Sequence, residues 1–233
     1  MRPWSDRPIE DCLEPLQALP AKLLRLQPHP YASLGAPYAS GTDPFRLRSG
    51  VVARLLKAEK ALKRLEPGLR LAIFDAWRPI PVQAFMVEHS ITELCRERGV
   101  DRREGPDLDQ VIRDVGRFWA PPSRNPCTPP PHSTGAAVDL TLASLSGTPL
   151  EMGGAIDAIG TISEPDHYDG SLDEVGRLWH QRRRLLADVM DSAGFAQHPS
   201  EWWHYSHGDQ LWAWRSGADI AIYAEAESSS FTS

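Results

Sequence analysis

A chain of 233 residues that is 41% hydrophobic can bury one sizeable core, and its 24% charged and 8% aromatic residues are ordinary for a globular protein. A formal charge of -6 gives no electrostatic reason to bind DNA, RNA or anionic lipid. No apolar run is long enough to cross a bilayer, and the opening MRPWSDRPIEDCLEPL lacks the apolar centre of a secretory signal, so a cytoplasmic protein with neither nucleic-acid nor membrane partner is expected.

Residues 1–45 are rich in Pro, Ala and Tyr and show no period, which predicts an irregular segment wrapping a surface, with Tyr31 and Tyr38 available to line a site. From Ser49 the pattern turns helical. Val52, Leu55, Leu56, Leu62 and Leu65 share a face, Ser49 can cap the start, and Pro67-Gly68 ends it. LRLAIFDAWRP, residues 69–79, alternates as a strand and is stopped by Pro79, which sets Arg78 at a strand end. Helices are predicted at 81–98 and 107–119, the second capped by Asp107 with a stripe of Leu108, Val111, Ile112, Val115 and Trp119.

Residues 121–131 contain six prolines and can be neither helix nor central strand. Each proline fixes φ, so the segment loses little entropy on ordering and can hold the next residue, His132, rigidly. Ala137 to Leu142 then reads as a strand. A loop over 147–170 leads to a helix that opens with the capping-box pattern Ser171 to Glu174 and carries Val175, Leu178, Trp179, Leu185, Leu186 and Val189 on one face. WWHYS and LWAWR are predicted as a hairpin joined across His207 to Gln210, and residues 224–233 as a frayed tail. Helices mix with late, adjacent strands, so the fold class is α+β in a single domain spanning 1–233. Cys12, Cys95 and Cys127 are odd in number and far apart, and read as reduced thiols.

Catalytic zinc sites use three protein ligands and leave one position to water. His132 and Asp139 lie seven residues apart across a glycine turn into a strand; such a pair also arises by chance. EWWH (201–204) adds an imidazole and, three residues before it, a carboxylate. A general base must sit beside the metal-bound water without ligating the metal, and flanking tryptophans can desolvate Glu201 and raise its pKa. The alternative for that cluster is a Trp-rich strand edge with a core histidine. Arg78 is either an oxyanion-stabilising cation or a surface arginine with a carboxylate partner.

Together these segments resemble the D-alanyl-D-alanine dipeptidases, within the group that also holds D,D-carboxypeptidases, lysostaphin-like hydrolases and the hedgehog signalling domain. HSTGAAVDLTL (132–142) is similar to the family's H-x6-D zinc motif, EWWH (201–204) to E-x-W-H, FDAWRP (74–79) to D-x-Y/W-R-P and MGGAID (152–157) to M-G-T-x-F-D, in family order over roughly residues 30 to 206. The resemblance implies one Zn2+ per chain held by His132, Asp139 and His204, with Glu201 as base and Arg78 as transition-state cation. Asp157 would hold the ammonium of a short D,D-dipeptide, and Ser133 is implied as a further substrate-binding residue. The implied fold is a small antiparallel sheet with helices packed on one side and the site in a cleft. Gly154, Ile156 and Pro130 depart from the family pattern; at the Pro130 position relatives often carry a serine that contacts substrate. A D,D-carboxypeptidase or cell-wall peptide hydrolase of the same group, or a zinc-stabilised binding module without turnover, are the alternatives; an intact Glu201 and Arg78 favour an enzyme.

Overall fold

The computed structural model describes residues 2–226. Its elements run β1 (Leu16–Ala18), β2 (Leu24–Arg25), α1 (Pro30–Ser33), β3 (Arg46–Arg48), α2 (Ser49–Leu65), β4 (Leu69–Asp75), α3 (Ile80–Arg98), α4 (Pro106–Phe118), β5 (Ala137–Ser144), α5 (Glu174–Ser192), β6 (Ala196–Gln197), β7 (His204–Ser206) and α6 (Gln210–Ser216). The main sheet has the order β2-β4-β5-β7-β6 and is antiparallel except where β2 runs parallel to β4; β1 and β3 form a separate ribbon.

Strand alternation decides which face holds the core. Leu71 and Ile73 of β4, Val138, Leu140 and Leu142 of β5, and Tyr205 of β7 enter one apolar cluster with α2 and α5. Fully burying each such aliphatic side chain is worth about 1.5–3 kcal/mol. Asp139 and His204, one residue out of phase, therefore point to the opposite face. A second apolar cluster joins α3 to α4 through Val82, Met86, Val111 and Val115 and receives Tyr31 and Trp119. Among the described residues no helix is long and apolar enough to cross a membrane.

The wrapping segment is more structured than its composition predicts. Trp4, Leu19, Leu23 and Tyr31 are buried, and β1, β2 and α1 fall within it. Three predicted caps are displaced. Ser49 is the first helical residue of α2, behind Arg48, and its hydroxyl serves Glu14. Gly105, not Asp107, precedes α4. Asp173 caps α5 by accepting from Gly176 N at 2.7 Å, while Ser171 donates to Asp173. The predicted apolar stripes also overrun the core at their ends: Leu65, Ile112, Val175 and Leu178 are exposed.

The strand predicted over 69–79 ends at Asp75, just past an irregularity in pairing between Ile73 and Asp75. The predicted hairpin is replaced. LWAWR lies in α6 because Asp209, held by Ser206 Oγ at 2.7 Å, accepts from Trp212 N at 2.8 Å and so nucleates a helix; β6 takes the place beside β7. Of the predicted frayed tail, residues 227–233 lie outside the described residues. The part described is anchored, since Ala226 N donates to Ser133 O at 2.9 Å and Ala224 O accepts from Arg48 at 2.9 Å.

Candidate active site

Sheet register lines up three polar side chains on the face away from the main core: Asp75 pairs opposite Asp139, and Asp139 opposite His204. His132 joins them from a 3-10 turn, Pro131–Thr134, that closes the proline-rich segment. Gly135 follows in a left-handed conformation, φ 71°, which glycine adopts without the strain a side chain would bring as the turn feeds β5.

His132 Nδ1 lies 2.7 Å from the Ala76 carbonyl, which can only accept. The proton therefore sits on Nδ1, and the Nε2 lone pair faces inward. Nε2 is 3.2 Å from His204 Nδ1 and 3.2 Å from Asp139 Oδ2, and His204 Nδ1 is 3.0 Å from Asp139 Oδ1. Two imidazole nitrogens and a carboxylate form a donor set that zinc favours, and bonds of about 2.0–2.1 Å in a tetrahedron give ligand–ligand edges of about 3.3–3.4 Å. The residues fit such an ion with little adjustment. Burial pushes the Asp139 carboxyl up, but the two histidines outweigh it and hold the group well below the usual range.

Glu201 stands beside this triangle. One oxygen is 3.7 Å from His204 Nδ1; the other is 3.6 Å from His198 Nδ1, is buried, and accepts no hydrogen bond. Burial, followed by the charge of Asp139, pushes its carboxyl up to about 8.

Arg78 is almost saturated. Nε and Nη2 donate to Asp75 at 2.9 and 2.7 Å, Nη1 to Gln83 Oε1 at 2.9 Å, and Nη2 also reaches Tyr31 Oη and Asp139 Oδ2, both at 3.2 Å. One Nη1 hydrogen is left over. The guanidinium lies over both the Tyr31 and Trp119 rings, 4.8 and 4.9 Å from their centroids.

Asp157 accepts from Tyr31 Oη at 2.9 Å and borders the same cavity. Burial, then the charge of Asp139, raises its carboxyl to about 7. Its φ of 68° is a conformation that aspartate tolerates better than most residues. The loop carrying it is tied down by the buried Arg183, which donates to the carbonyls of Met152, Glu164 and Ile162 at 2.8, 2.8 and 2.9 Å.

Ser133 is placed elsewhere. Its hydroxyl donates to Pro130 O at 2.8 Å and its carbonyl accepts from Trp77 Nε1 at 3.2 Å, so it braces the turn and does not border the cavity. Three residues without a sequence-based role do enter the site. Asp75 holds Arg78 and lies 3.2 Å from His29 Nε2 and 3.3 Å from His132 Nδ1. Gln83 orients Arg78 and donates to Ala120 O at 2.7 Å. His198 packs edge-on to His204, 5.4 Å between centroids. Its position three residues before Glu201 was the one available signal. The space among these groups is about 30 Å3, room for a water or two.

The profile of the family described as D-ala-D-ala dipeptidase matches residues 25–222. The chain is 43% identical over 224 residues to a D-alanyl-D-alanine dipeptidase of Synechocystis sp., covering 92% of this chain and 90% of that protein. It is 31% identical over 139 residues to a D-alanyl-D-alanine dipeptidase of Escherichia coli, covering 59% of this chain and 55% of the other. Among solved structures, the vancomycin-resistance D,D-pentapeptidase VanY with Zn(II) superposes with a TM-score of 0.47 at 14% identity, over 88% of both chains.

Proposed function

Because the chain belongs to the D-Ala-D-Ala dipeptidase family of metallopeptidases, we propose that it is a zinc enzyme hydrolysing short peptides, D,D-dipeptides such as D-Ala-D-Ala foremost. One observation carries this reading: His132 Nε2, Asp139 and His204 Nδ1 converge to within 3.2 Å of one another, and a buried Glu201 with an unpartnered oxygen stands 3.7 Å from the last of them. A Zn2+ held there supplies Lewis acidity, which makes a water acidic and polarises the scissile carbonyl.

The chain's own residues do the rest. Glu201 takes a proton from the attacking water as the C–O bond forms, then delivers it to the departing amine nitrogen as the C–N bond breaks. Arg78, held by Asp75 and Gln83, presents a fixed positive charge and one free N–H toward the oxygen that becomes negative. Asp157 pairs with the substrate ammonium and so selects a free N-terminus.

The zinc-loaded protein assayed against LL, LD, DL and DD dipeptides should turn over the DD member fastest. Glu201→Ala should keep its zinc and lose turnover by orders of magnitude. Retained turnover in that variant would remove Glu201 from the chemistry, and equal rates on all four dipeptides would remove the D,D assignment.

A further inference from the structure

A free dipeptide carries two charges, and the groups assigned so far answer only one. Asp157 meets the ammonium; the carboxylate at the other end needs a cation close to the leaving amine, on the side of Glu201. Two arginines border the cavity, Arg78 and Arg2. Arg78 is held by Asp75, Asp139, Gln83 and Tyr31, and its one free N–H is already assigned to the developing oxyanion. The Pro130-Pro131 wall before His132 offers no side-chain donor and no N–H.

Arg2 is differently placed. Its guanidinium makes one long hydrogen bond, 3.4 Å to the Phe118 carbonyl, and lies 5.7 Å from the Trp4 ring centroid. Among the described residues no carboxylate forms an ion pair with it; the ion pairs of Glu201 are with His198 and His204. Arg2 lines the inner space together with His198 and Glu201. It also borders a wider groove of about 790 Å3 that shares Ala120, Pro131 and His198 with the inner space, so it stands at the neck between them. Nor is this a loose end of chain: Trp4 is buried against His198 and Trp214, with centroids 5.3 and 5.5 Å away, and Gln210 Nε2 donates to Arg7 O at 2.6 Å.

We propose that Arg2 pairs with the α-carboxylate of the residue on the leaving side of the scissile bond, and thereby restricts the enzyme to peptides that end one residue beyond the cut. The inference rests on the dipeptidase reading above. A partly desolvated guanidinium without an anion is a poor end state for a folded chain, and a planar carboxylate is the ligand its fork accepts best. Binding exchanges the long contact to Phe118 for a charge-assisted pair. Once the bond is cut, the same pairing leaves the freed amino acid at the mouth of the outer groove.

The test compares D-Ala-D-Ala with its C-terminal amide in the zinc-loaded wild-type, Arg2→Gln and Arg2→Lys proteins. Wild type should favour the free acid by about 10- to 100-fold in kcat/KM, as expected for one charge-assisted contact. Arg2→Gln should lose that preference to within about threefold, through KM for the acid and not through kcat. Arg2→Lys should recover part of it. A preference that survives in Arg2→Gln, or losses that fall equally on acid and amide in either variant, would overturn the assignment of Arg2 and leave the dipeptidase reading standing. A wild-type protein that cleaves no dipeptide would overturn both.

Discussion

Replacing Asp75 with asparagine keeps the shape of a fully buried side chain and removes its charge. The carboxylate accepts from Arg78 at 2.7 and 2.9 Å and lies 3.2 Å from His29 Nε2. Burial pushes its pKa up, but Arg78 and the His29 hydrogen bond outweigh that and hold it below the ordinary carboxylate range, so the group is charged in the native state. A hydrogen bond to a charged partner contributes about 1.5–3 kcal/mol and a neutral one about 0.5–1.5. Weakening the two bonds to Arg78 therefore costs about 2–3 kcal/mol, near the low end of what breaking a buried pair costs. A second effect falls on the metal. Asp139 is the one other carboxylate in an ion pair with Arg78 among the described residues, with Oδ2 3.2 Å from Nη2, so the guanidinium should shift onto a ligand and compete with the ion. Loss of such an outer partner lowers metal affinity by about 10- to 100-fold. Urea unfolding of the metal-free protein and Zn2+ titration against a chromophoric chelator read the two effects separately. Unchanged stability together with an unchanged zinc Kd would refute the idea that Asp75 organises the site.

Glu201→Gln should bind zinc normally and lose about 10^2- to 10^4-fold in kcat, the usual contribution of a positioned base, measured by steady-state assay with metal content checked by elemental analysis. Arg183→Gln should free the loop that carries Asp157, since three backbone carbonyls lose their donor; a KM for dipeptide raised more than kcat is lowered is the expected pattern, and unchanged kinetics would deny the loop its role. Asp157 must be ionised to hold an ammonium, and burial raises its pKa toward about 7. KM should accordingly climb as pH falls below about 7, and this dependence should vanish in Asp157→Asn, whose KM is high at every pH.

The sequence discloses those parts of the site whose chemistry is local. The proline run, the glycine turn and the alternation through β5 bring His132 and Asp139 to one face, and the spacing within EWWH sets Glu201 near His204. What joins the two halves is the register of β5 with β7, Asp139 opposite His204, and that depends on pairing between segments some 65 positions apart. Asp75 shows only as part of a motif, because its partners Arg78, His29 and His132 are brought to it by the fold. Arg2 gives no local signal at all, since it reaches the cavity only because Trp4 packs on His198. Helix α6 reads as a strand in sequence because the alternating bulk of LWAWR satisfies a strand period over so short a stretch, and the deciding contact is the cap that Asp209 makes to Trp212 N at 2.8 Å. Ser133 shows the converse: adjacent to His132 in sequence, its hydroxyl bonds to Pro130 and is turned into the turn it closes.

The account depends on three side chains sharing one cation with a position left for water. Diffraction from zinc-soaked crystals at the zinc absorption edge tests it most directly. One anomalous peak about 2.0–2.2 Å from His132 Nε2, His204 Nδ1 and an Asp139 oxygen, with Glu201 outside bonding distance, is the predicted result. A peak at any other cluster, or one that draws in Glu201 as a fourth ligand and closes the site, would contradict it.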